Sequence, residues 1–143
     1  MEEPSPKRCF ILWNDEFERT GSIPGYDDGT ERNLAGYRVD YKNIKKTFQS
    51  LGFSIKEKHN KNASDMAVIF DDWCNNTDFE DVECVVVFVL THGGDYGTIF
   101  GTDNKPLELE DVLAKFGRKL QNKKGFCLYF VVPGIRNLSP ILS

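Results

Sequence analysis

The sequence lacks the features that mark several classes of protein, and each absence narrows the range of functions. No apolar run approaches the roughly 20 residues of a membrane-spanning helix. The N-terminus has no basic start followed by an apolar segment, as a secretory signal does. The net charge of -4 gives no reason to expect nucleic acid or an anionic membrane as a partner. These absences favour a cytoplasmic protein.

Closely spaced cysteines are also missing. The four cysteines, Cys9, Cys74, Cys84 and Cys127, are scattered along the chain without a Cys-x-x-Cys pair. Structural zinc sites use closely spaced ligands, and disulfides are rare in a reducing cytosol. We therefore expect no metal site and no disulfide framework, and we interpret the cysteines as small buried hydrophobic residues.

What the sequence does contain is a series of apolar runs separated by amphipathic segments. Residues 1–7 carry charges and two prolines and are expected to be a disordered tail, whereas residues 8–132 have the patterning of one domain. The long segment 15–36 is rich in glycine and acidic residues and is predicted to be a loop. Four strands are predicted, numbered 1 to 4 along the chain, at residues 8–14, 53–58, 84–90 and 126–132.

Three segments have the apolar period of amphipathic helices. The first begins at Tyr37 and ends before Gly52, a residue typical of the position after a helix. The second is capped by Asn62, with Asp65 in its first turn. The predicted apolar faces contain Tyr37, Tyr41, Ile44, Phe48 and Leu51 in the first helix, Met66, Ile69, Phe70 and Trp73 in the second, and Leu109, Val112, Leu113, Phe116 and Leu120 in the third.

This alternation predicts an α/β fold with an open, mostly parallel sheet of about four strands in the order 2-1-3-4 and helices on both faces. Such sheets bind ligands at the carboxyl ends of their strands, where the strand order reverses, which here is between strands 1 and 3. His92 follows strand 3 at this edge in the turn Thr91-His92-Gly93-Gly94. Because histidine titrates near neutral pH, the sequence predicts a functional site around His92. Residues 96–106 are predicted to form a small hairpin after this turn.

The segments around the turn resemble the caspase family. They are Thr91-His92-Gly93 with the hairpin segment 96–107, and Arg38-Val39-Asp40 with Asn43 and the segment 48–53. The resemblance covers about residues 8–132 and corresponds to the large subunit. It implies a cysteine endopeptidase that cuts after aspartate, with its histidine after strand 3 and its cysteine after strand 4. His92 matches the family's catalytic histidine, and Gly93 matches the glycine whose backbone N–H stabilises the oxyanion.

The sequence departs from the family pattern directly after strand 4. Where the family has Gln-Ala-Cys-Arg-Gly, this chain has Val132-Pro133-Gly134-Ile135-Arg136, so Gly134 occupies the position of the nucleophile. Glycine has no side chain with which to attack a carbonyl. Cys127 cannot replace the missing thiol, since it lies inside the predicted strand, about 23 Å away if the chain is extended. The resemblance therefore implies a catalytically inactive chain.

The residues that would recognise the aspartate of a substrate are also incomplete. The resemblance implies an arginine from the loop before the first helix, a second arginine from the small subunit, and the glutamine beside the cysteine, which is Val132 here. Arg32 and Arg38 are the candidates for the first arginine. Strict alignment places Leu34 at this position unless the loop carries an insertion.

Two functions are compatible with this pattern. In the first, the chain ends at Ser143 before a small subunit, and strand 4 (126–132) is a hydrophobic edge that pairs with another caspase-like chain. The chain would then regulate an active caspase, as a decoy, a dominant-negative partner or an activator, in apoptosis or a related pathway. In the second, residues 133–143 are a divergent tail, and the chain is a truncated or alternatively spliced form of an active aspartate-specific endopeptidase.

A nucleotide-binding turn at Gly93-Gly94-Asp95-Tyr96-Gly97 is disfavoured. The segment has neither the Gly-x-Gly-x-x-Gly pattern nor a following Gly-Lys-Ser/Thr, and a hairpin rather than a helix is predicted after it. No cofactor is therefore expected.

Overall fold

The computed structural model describes residues 6–18, 30–94, 97–120 and 127–132, with the backbone alone for 30–35 and 127–131. The elements in chain order are β1 (Lys7–Trp13), α1 (Thr30–Ser50), β2 (Ser54–His59), α2 (Ala63–Asn76), β3 (Cys84–Leu90), β4 (Thr98–Phe100), β5 (Pro106–Glu108), α3 (Leu109–Leu120) and β6 (Cys127–Val131). Each strand of the main sheet begins and ends within one residue of its predicted bounds. The predicted tail at 133–143 lies outside the described residues, as do residues 1–5.

A parallel sheet in the order β2-β1-β3-β6 forms the centre of the fold. β1 pairs with both β2 and β3, which places Trp13 opposite His59 on one side and Leu90 on the other. β3 also pairs with β6, with Phe88 opposite Val131. The predicted order 2-1-3-4 is confirmed. Because the strands are parallel, the residues that follow their carboxyl ends meet at one edge of the sheet.

Helices cover both faces of this sheet. On one face, α1 contributes Tyr37, Tyr41, Ile44 and Phe48, which pack on Cys9, Ile11, Trp13, Val86, Phe88 and Leu90. On the other face, the apolar sides of α2 and α3 pack on Phe10, Leu12, Val85, Val87 and Val89. Successive residues of a strand point to opposite faces, so a strand covered on both sides is apolar throughout. This explains the unbroken apolar run of β3.

The start of α1 differs from the prediction. The helix begins at Thr30, so the prediction of a loop up to residue 36 is wrong for its last seven residues. Gly36 suggested a loop, but it lies inside the helix, and nothing lies within 4 Å of the position a Cβ would take. A glycine costs a helix about 1 kcal/mol, which the packing of Tyr37 and Tyr41 on the sheet offsets. The rest of the predicted loop, residues 19–29, lies outside the described residues.

The end of α1 also corrects one residue of the predicted apolar face. Leu51 is 54% exposed rather than packed on the sheet. It follows the last helical residue, and Gly52 adopts a φ of 86° there. This left-handed conformation favours glycine and confirms that Gly52 ends the helix.

The N-terminus of α2 is fixed by its own cap and by the hairpin of β4 and β5. Asn62 Oδ1 accepts a hydrogen bond of 2.8 Å from the backbone N–H of Asp65, which confirms the predicted cap. In addition, the Ala63 N–H donates to Asp103 Oδ1 at 3.1 Å, and the Thr102 N–H donates to the Lys61 carbonyl at 2.9 Å. The hairpin, whose tip Asn104 has a φ of 61°, is thereby held beside the carboxyl edge of the sheet.

Replacing Asn62 with alanine is expected to lower the free energy of unfolding by about 1 kcal/mol, because the Asp65 N–H loses its acceptor. Urea denaturation of the two proteins measures this difference. Asn75→Ala is the matched control, since Asn75 is an exposed residue near the other end of the same helix. A cost at Asn62 no greater than that at Asn75 would contradict the cap.

Candidate active site

His92 lies at the carboxyl edge of the sheet, two residues after β3, and is 3% exposed. Its imidazole stacks on the ring of Phe17, with centroids 3.9 Å apart and planes only 5° from parallel. The ring of Tyr37, on α1, is tilted against the imidazole at 6.2 Å. The His92 carbonyl accepts a hydrogen bond of 2.9 Å from the Phe100 N–H. The histidine is therefore held by β3, α1, the segment after β1 and the hairpin.

Burial determines the protonation state of His92. Desolvation disfavours the imidazolium and lowers the pKa of His92 from 6.5 to about 4. At neutral pH the ring is uncharged. Such a ring is a weak general base, because its protonation would create a buried imidazolium charge that water does not stabilise.

Gly93 is held in place by the bridge between the turn and the hairpin. It pairs with Ile99 in an antiparallel bridge. The bridge consists of two backbone hydrogen bonds. The Gly94 N–H donates to the Thr98 carbonyl at 2.8 Å, and the Phe100 N–H donates to the His92 carbonyl. Gly94 faces Phe100 closely, since an added Cβ would lie 3.3 Å from Phe100 Cε2. The backbone of Gly93 is thus fixed beside His92, and its role toward an oxyanion stays a prediction.

A buried polar pair joins the ends of β1 and β3. Asn14 and Thr91 are both 0% exposed, and Asn14 Nδ2 donates to Thr91 Oγ1 at 3.0 Å. Thr91 Oγ1 donates onward to the Phe100 carbonyl at 2.6 Å, and Asn14 Oδ1 accepts from the Lys61 N–H at 2.9 Å. The sequence pattern does not predict this pair. The only sign of the pair in the sequence is that a polar residue directly follows each of two apolar strands. Such residues need hydrogen-bond partners once they are buried.

Arg38, one of the two arginines predicted to bind substrate, pairs with Asp15. Arg38 Nε and Nη2 donate to Asp15 Oδ2 at 2.9 and 2.5 Å, and His59 Nε2 lies 2.7 Å from Asp15 Oδ1. The side chain of Asp15 is 4% exposed and that of Arg38 is 52% exposed. Desolvation acts to raise the pKa of Asp15, but the hydrogen bonds from His59 and Arg38 outweigh it, so the pKa lies below its usual value. Arg38 thus already has a carboxylate partner within the chain.

The site consists of a His-Gly turn at the carboxyl edge of a parallel α/β sheet. A comparison of the whole sequence with protein families identifies a family that matches this chain. The family model described as a caspase domain matches residues 6–131. The chain belongs to the caspase family. The match ends at Val131, directly before the segment Val132-Pro133-Gly134, where the sequence comparison with the family pattern predicts that the cysteine motif is replaced.

Individual caspases resemble the chain at a moderate level. Caspase-2 of Gallus gallus is 30% identical over 93 residues, which are 62% of this chain and 22% of that protein. Caspase-3 of Mus musculus is 27% identical over 116 residues, 81% of this chain and 38% of that protein. Caspase-8 of Mus musculus is 26% identical over 122 residues, 82% of this chain and 24% of that protein. The chain therefore spans between 22% and 38% of the length of these relatives.

The remaining residues predicted for the caspase site are placed as follows. Arg32 lies in the first turn of α1, and its side chain is outside the described part of the chain. Gly134, which is predicted to occupy the nucleophile position, also lies outside the described residues. Val132, which is predicted to stand in place of the family's glutamine, is 8% exposed and packs in the core between the sheet and helices α2 and α3.

The cysteines of this caspase-family chain lie away from His92. Cys84 and Cys127 are the first residues of β3 and β6, at the amino edge of the sheet, whereas His92 follows the carboxyl edge. Cys9 and Cys74 are free and buried, within β1 and α2. Burial raises the pKa of each of these two thiols to about 12, which disfavours the reactive thiolate.

Within the described ranges, no group of three or more His, Cys, Asp or Glu side chains is placed to hold a metal ion. Among the same residues, none of the helices has the length and apolar character required to cross a bilayer.

Asp15→Asn is expected to lower the free energy of unfolding at neutral pH by about 1–2 kcal/mol. A hydrogen bond to a charged group contributes about 1.5–3 kcal/mol, and the exposure of Arg38 and His59 reduces this value. Because the folded pKa of Asp15 is depressed, its contribution is present above the unfolded pKa and is lost as the pH falls through the folded value.

Urea unfolding of the wild type and of Asp15→Asn, at neutral pH and again in strong acid, measures this effect. The difference between the two proteins should shrink in acid. Asp40→Asn, at an exposed carboxylate of α1, is the control and should change little at either pH. An Asp15→Asn difference that is independent of pH would contradict the ion pair.

Proposed function

We propose that this caspase-family chain has no endopeptidase activity of its own and regulates an active caspase by associating with it. The observation that carries the proposal is the segment Val132-Pro133-Gly134, which stands where the family has Gln-Ala-Cys. The chain would act as a decoy, a dominant-negative partner or an activator, in apoptosis or a related pathway.

The chemistry of cysteine peptidases supports the absence of activity. Attack on a carbonyl requires a thiolate, which an adjacent histidine activates. Gly134 supplies no thiol. The buried cysteines are poor thiolate donors, since their pKa values are raised to about 12. His92 has the position of the family's histidine, but a pKa of about 4 gives it little tendency to form the imidazolium that stabilises a thiolate.

The strand order supports association with another chain. β6 lies at one end of the order β2-β1-β3-β6, so in the described part of the chain it pairs with β3 alone. An edge strand presents unpaired N–H and C=O groups to which another strand can bind. The opposite edge, β2, is protected by its exposed charged residues Lys56, Glu57 and Lys58. We therefore propose that the partner binds at the β6 edge, residues 126–132.

Sedimentation velocity of the purified chain, alone and mixed with an active caspase, tests this proposal. We expect a complex of the two proteins and a changed rate of peptide cleavage by the active enzyme. Tyr129→Pro, in β6, should weaken the complex because proline lacks the N–H of a strand residue. Lys56→Pro, in β2, is the matched control, and circular dichroism checks that both variants fold. A chain that stays monomeric in the mixture and leaves the caspase unaffected would contradict the proposal.

One observation favours a second candidate function. The family match covers residues 6–131 and does not include the segment that follows Val131, as we expect of a truncated or alternatively spliced form of an active aspartate-specific endopeptidase. Sequencing the transcript across codon 131 tests this candidate. Transcripts that continue from Val131 into the family's cysteine motif would support it, and a single transcript that encodes Pro133 and Gly134 would support the inactive regulator.

A further inference from the structure

The segment that follows β1, residues 14–18, crosses the carboxyl edge of the sheet and carries the ring that covers His92. We call this segment the strap. Phe17 lies flat on the imidazole at 3.9 Å, with the two planes 5° apart. The other histidine of the chain, His59, also stacks on an aromatic ring, that of Trp13. However, the side chain of His59 remains 39% exposed, whereas His92 as a whole is 3% exposed.

The beginning of the strap is anchored to three elements. Asn14 is bound to Thr91 and to the Lys61 N–H through its buried side chain. Asp15 receives the hydrogen bonds of Arg38 and lies beside His59 Nε2. The backbone N–H groups of residues 15 and 16 donate to Asn60 Oδ1 at 2.9 and 3.2 Å. The strap therefore leaves β1 in a direction that β2, β3 and α1 all determine.

The end of the strap is anchored to the hairpin. The Glu18 N–H donates to the Thr102 carbonyl at 2.8 Å, and Asn104 Nδ2 donates to the Glu18 carbonyl at 2.7 Å. Asn104 has the left-handed φ of a hairpin tip, so the shape of the turn brings its amide to the strap. Phe17 is the residue between the two sets of anchors.

We propose that Phe17 is a positioning residue for His92. The strap presses the phenyl ring against one face of the imidazole, which fixes the plane of the imidazole and excludes water from that face. Tyr37, a second aromatic ring against His92 in the described part of the chain, approaches with its plane at 52° to the imidazole and limits rotation in the remaining direction. In this arrangement Arg38 acts through Asp15 to hold the strap. The inference does not depend on the proposed function, because it concerns how the histidine is held and not whether the chain cleaves a substrate.

Proton NMR of the intact chain tests this role, because the chain contains only two histidines. The variants His59→Gln and His92→Gln assign the two imidazole signals. In the wild type, the His92 signal should be shifted upfield by the stacked ring, and its pKa should be about 4. In Phe17→Ala the upfield shift should disappear and the pKa should rise toward 6.5, the ordinary value, because water reaches the ring.

Two further variants separate the effect of the aromatic ring on the His92 signal from the exclusion of water by any apolar side chain at position 17. Phe17→Leu keeps an apolar cover without a ring, so the upfield shift should disappear while most of the lowered pKa remains. Phe17→Tyr keeps the stacked ring, so it should show both the upfield shift and the lowered pKa of His92, as the wild type does. Phe53→Ala is the matched control, since Phe53 is also partly buried but packs edge-to-face against Phe48 and not on His92.

The proposal is overturned if Phe17→Leu retains the upfield shift of His92. It is also overturned if Phe53→Ala changes the His92 signal as much as Phe17→Ala does, because Phe17 would then act only through general stability. The leucine variant decides the question by itself if the alanine variant does not fold.

Discussion

Lowering the pH from 7 to 4 is expected to reduce the free energy of unfolding by about 3 kcal/mol through His92 alone. The pKa of His92 is about 4 in the folded chain and about 6.5 in the unfolded chain. Between these values the unfolded chain binds a proton that the folded chain does not. The contribution is therefore complete above pH 6.5, is lost as the pH falls toward 4, and changes no further below that.

Urea unfolding at a series of pH values measures this dependence. His92→Gln should flatten the profile between pH 4 and 6.5, whatever its effect on stability at neutral pH. Asn75→Ala, at an exposed residue of α2 that carries no ionisable group, is the control and should retain the slope. The carboxylate of Asp15 changes the free energy of unfolding at lower pH than His92 does, because the folded pKa of Asp15 lies below the usual range. Equal slopes in the wild type and in His92→Gln would show that His92 is hydrated or already protonated in the folded chain.

Gly101→Ala is expected to cost more than about 3 kcal/mol and to leave the chain largely unfolded at physiological temperature. A Cβ at this position would lie 2.1 Å from the Ala63 nitrogen and 2.5 Å from the Asn62 carbonyl carbon. These are backbone atoms, so no change of rotamer relieves the clash. The backbone cannot move apart easily either, since Thr102 and Asp103 bind the start of α2 on the same side.

Gly117→Ala provides the same substitution without the clash. Gly117 is an exposed residue of α3, and nothing lies within 4 Å of the position that an alanine methyl group would take. Alanine should stabilise the helix there by about 0.5–1 kcal/mol. Thermal unfolding followed by circular dichroism compares the two variants. A Gly101→Ala chain as stable as the wild type would mean that the hairpin does not pack on the start of α2.

The sheet could be predicted from the sequence because its central strands are covered on both faces. Such strands are apolar at every position, which distinguishes them from the shorter alternating strand at the edge. Local signals also identified Asn62 as a cap and Gly52 as a helix stop. The same type of local signal failed at Gly36, where the tertiary packing of α1 on the sheet overrides the cost of a glycine. The prediction that Leu51 lies on the apolar face of α1 was wrong for a related reason. A periodic pattern does not show where a helix has already ended.

The candidate site could be predicted only in part. His92 and Gly93 stand in a short motif that can be read directly from the chain. By contrast, Asn14 binds Thr91 across 77 residues of sequence, and Arg38 binds Asp15 across 23. Such pairs depend on which strand ends become neighbours, and no local pattern encodes their geometry. The prediction that Arg38 binds the aspartate of a substrate stays a prediction, and the sequence did not show that Asp15 of the chain itself lies beside Arg38.

The central claim is that this caspase-family chain keeps the histidine of the site without a nucleophile. Hydrolysis of a fluorogenic peptide with aspartate at the cleavage position, measured with the purified chain, tests it most directly. We expect no turnover above background, and the same result for the wild type and for His92→Ala. Turnover by the wild type that His92→Ala abolishes would contradict the claim.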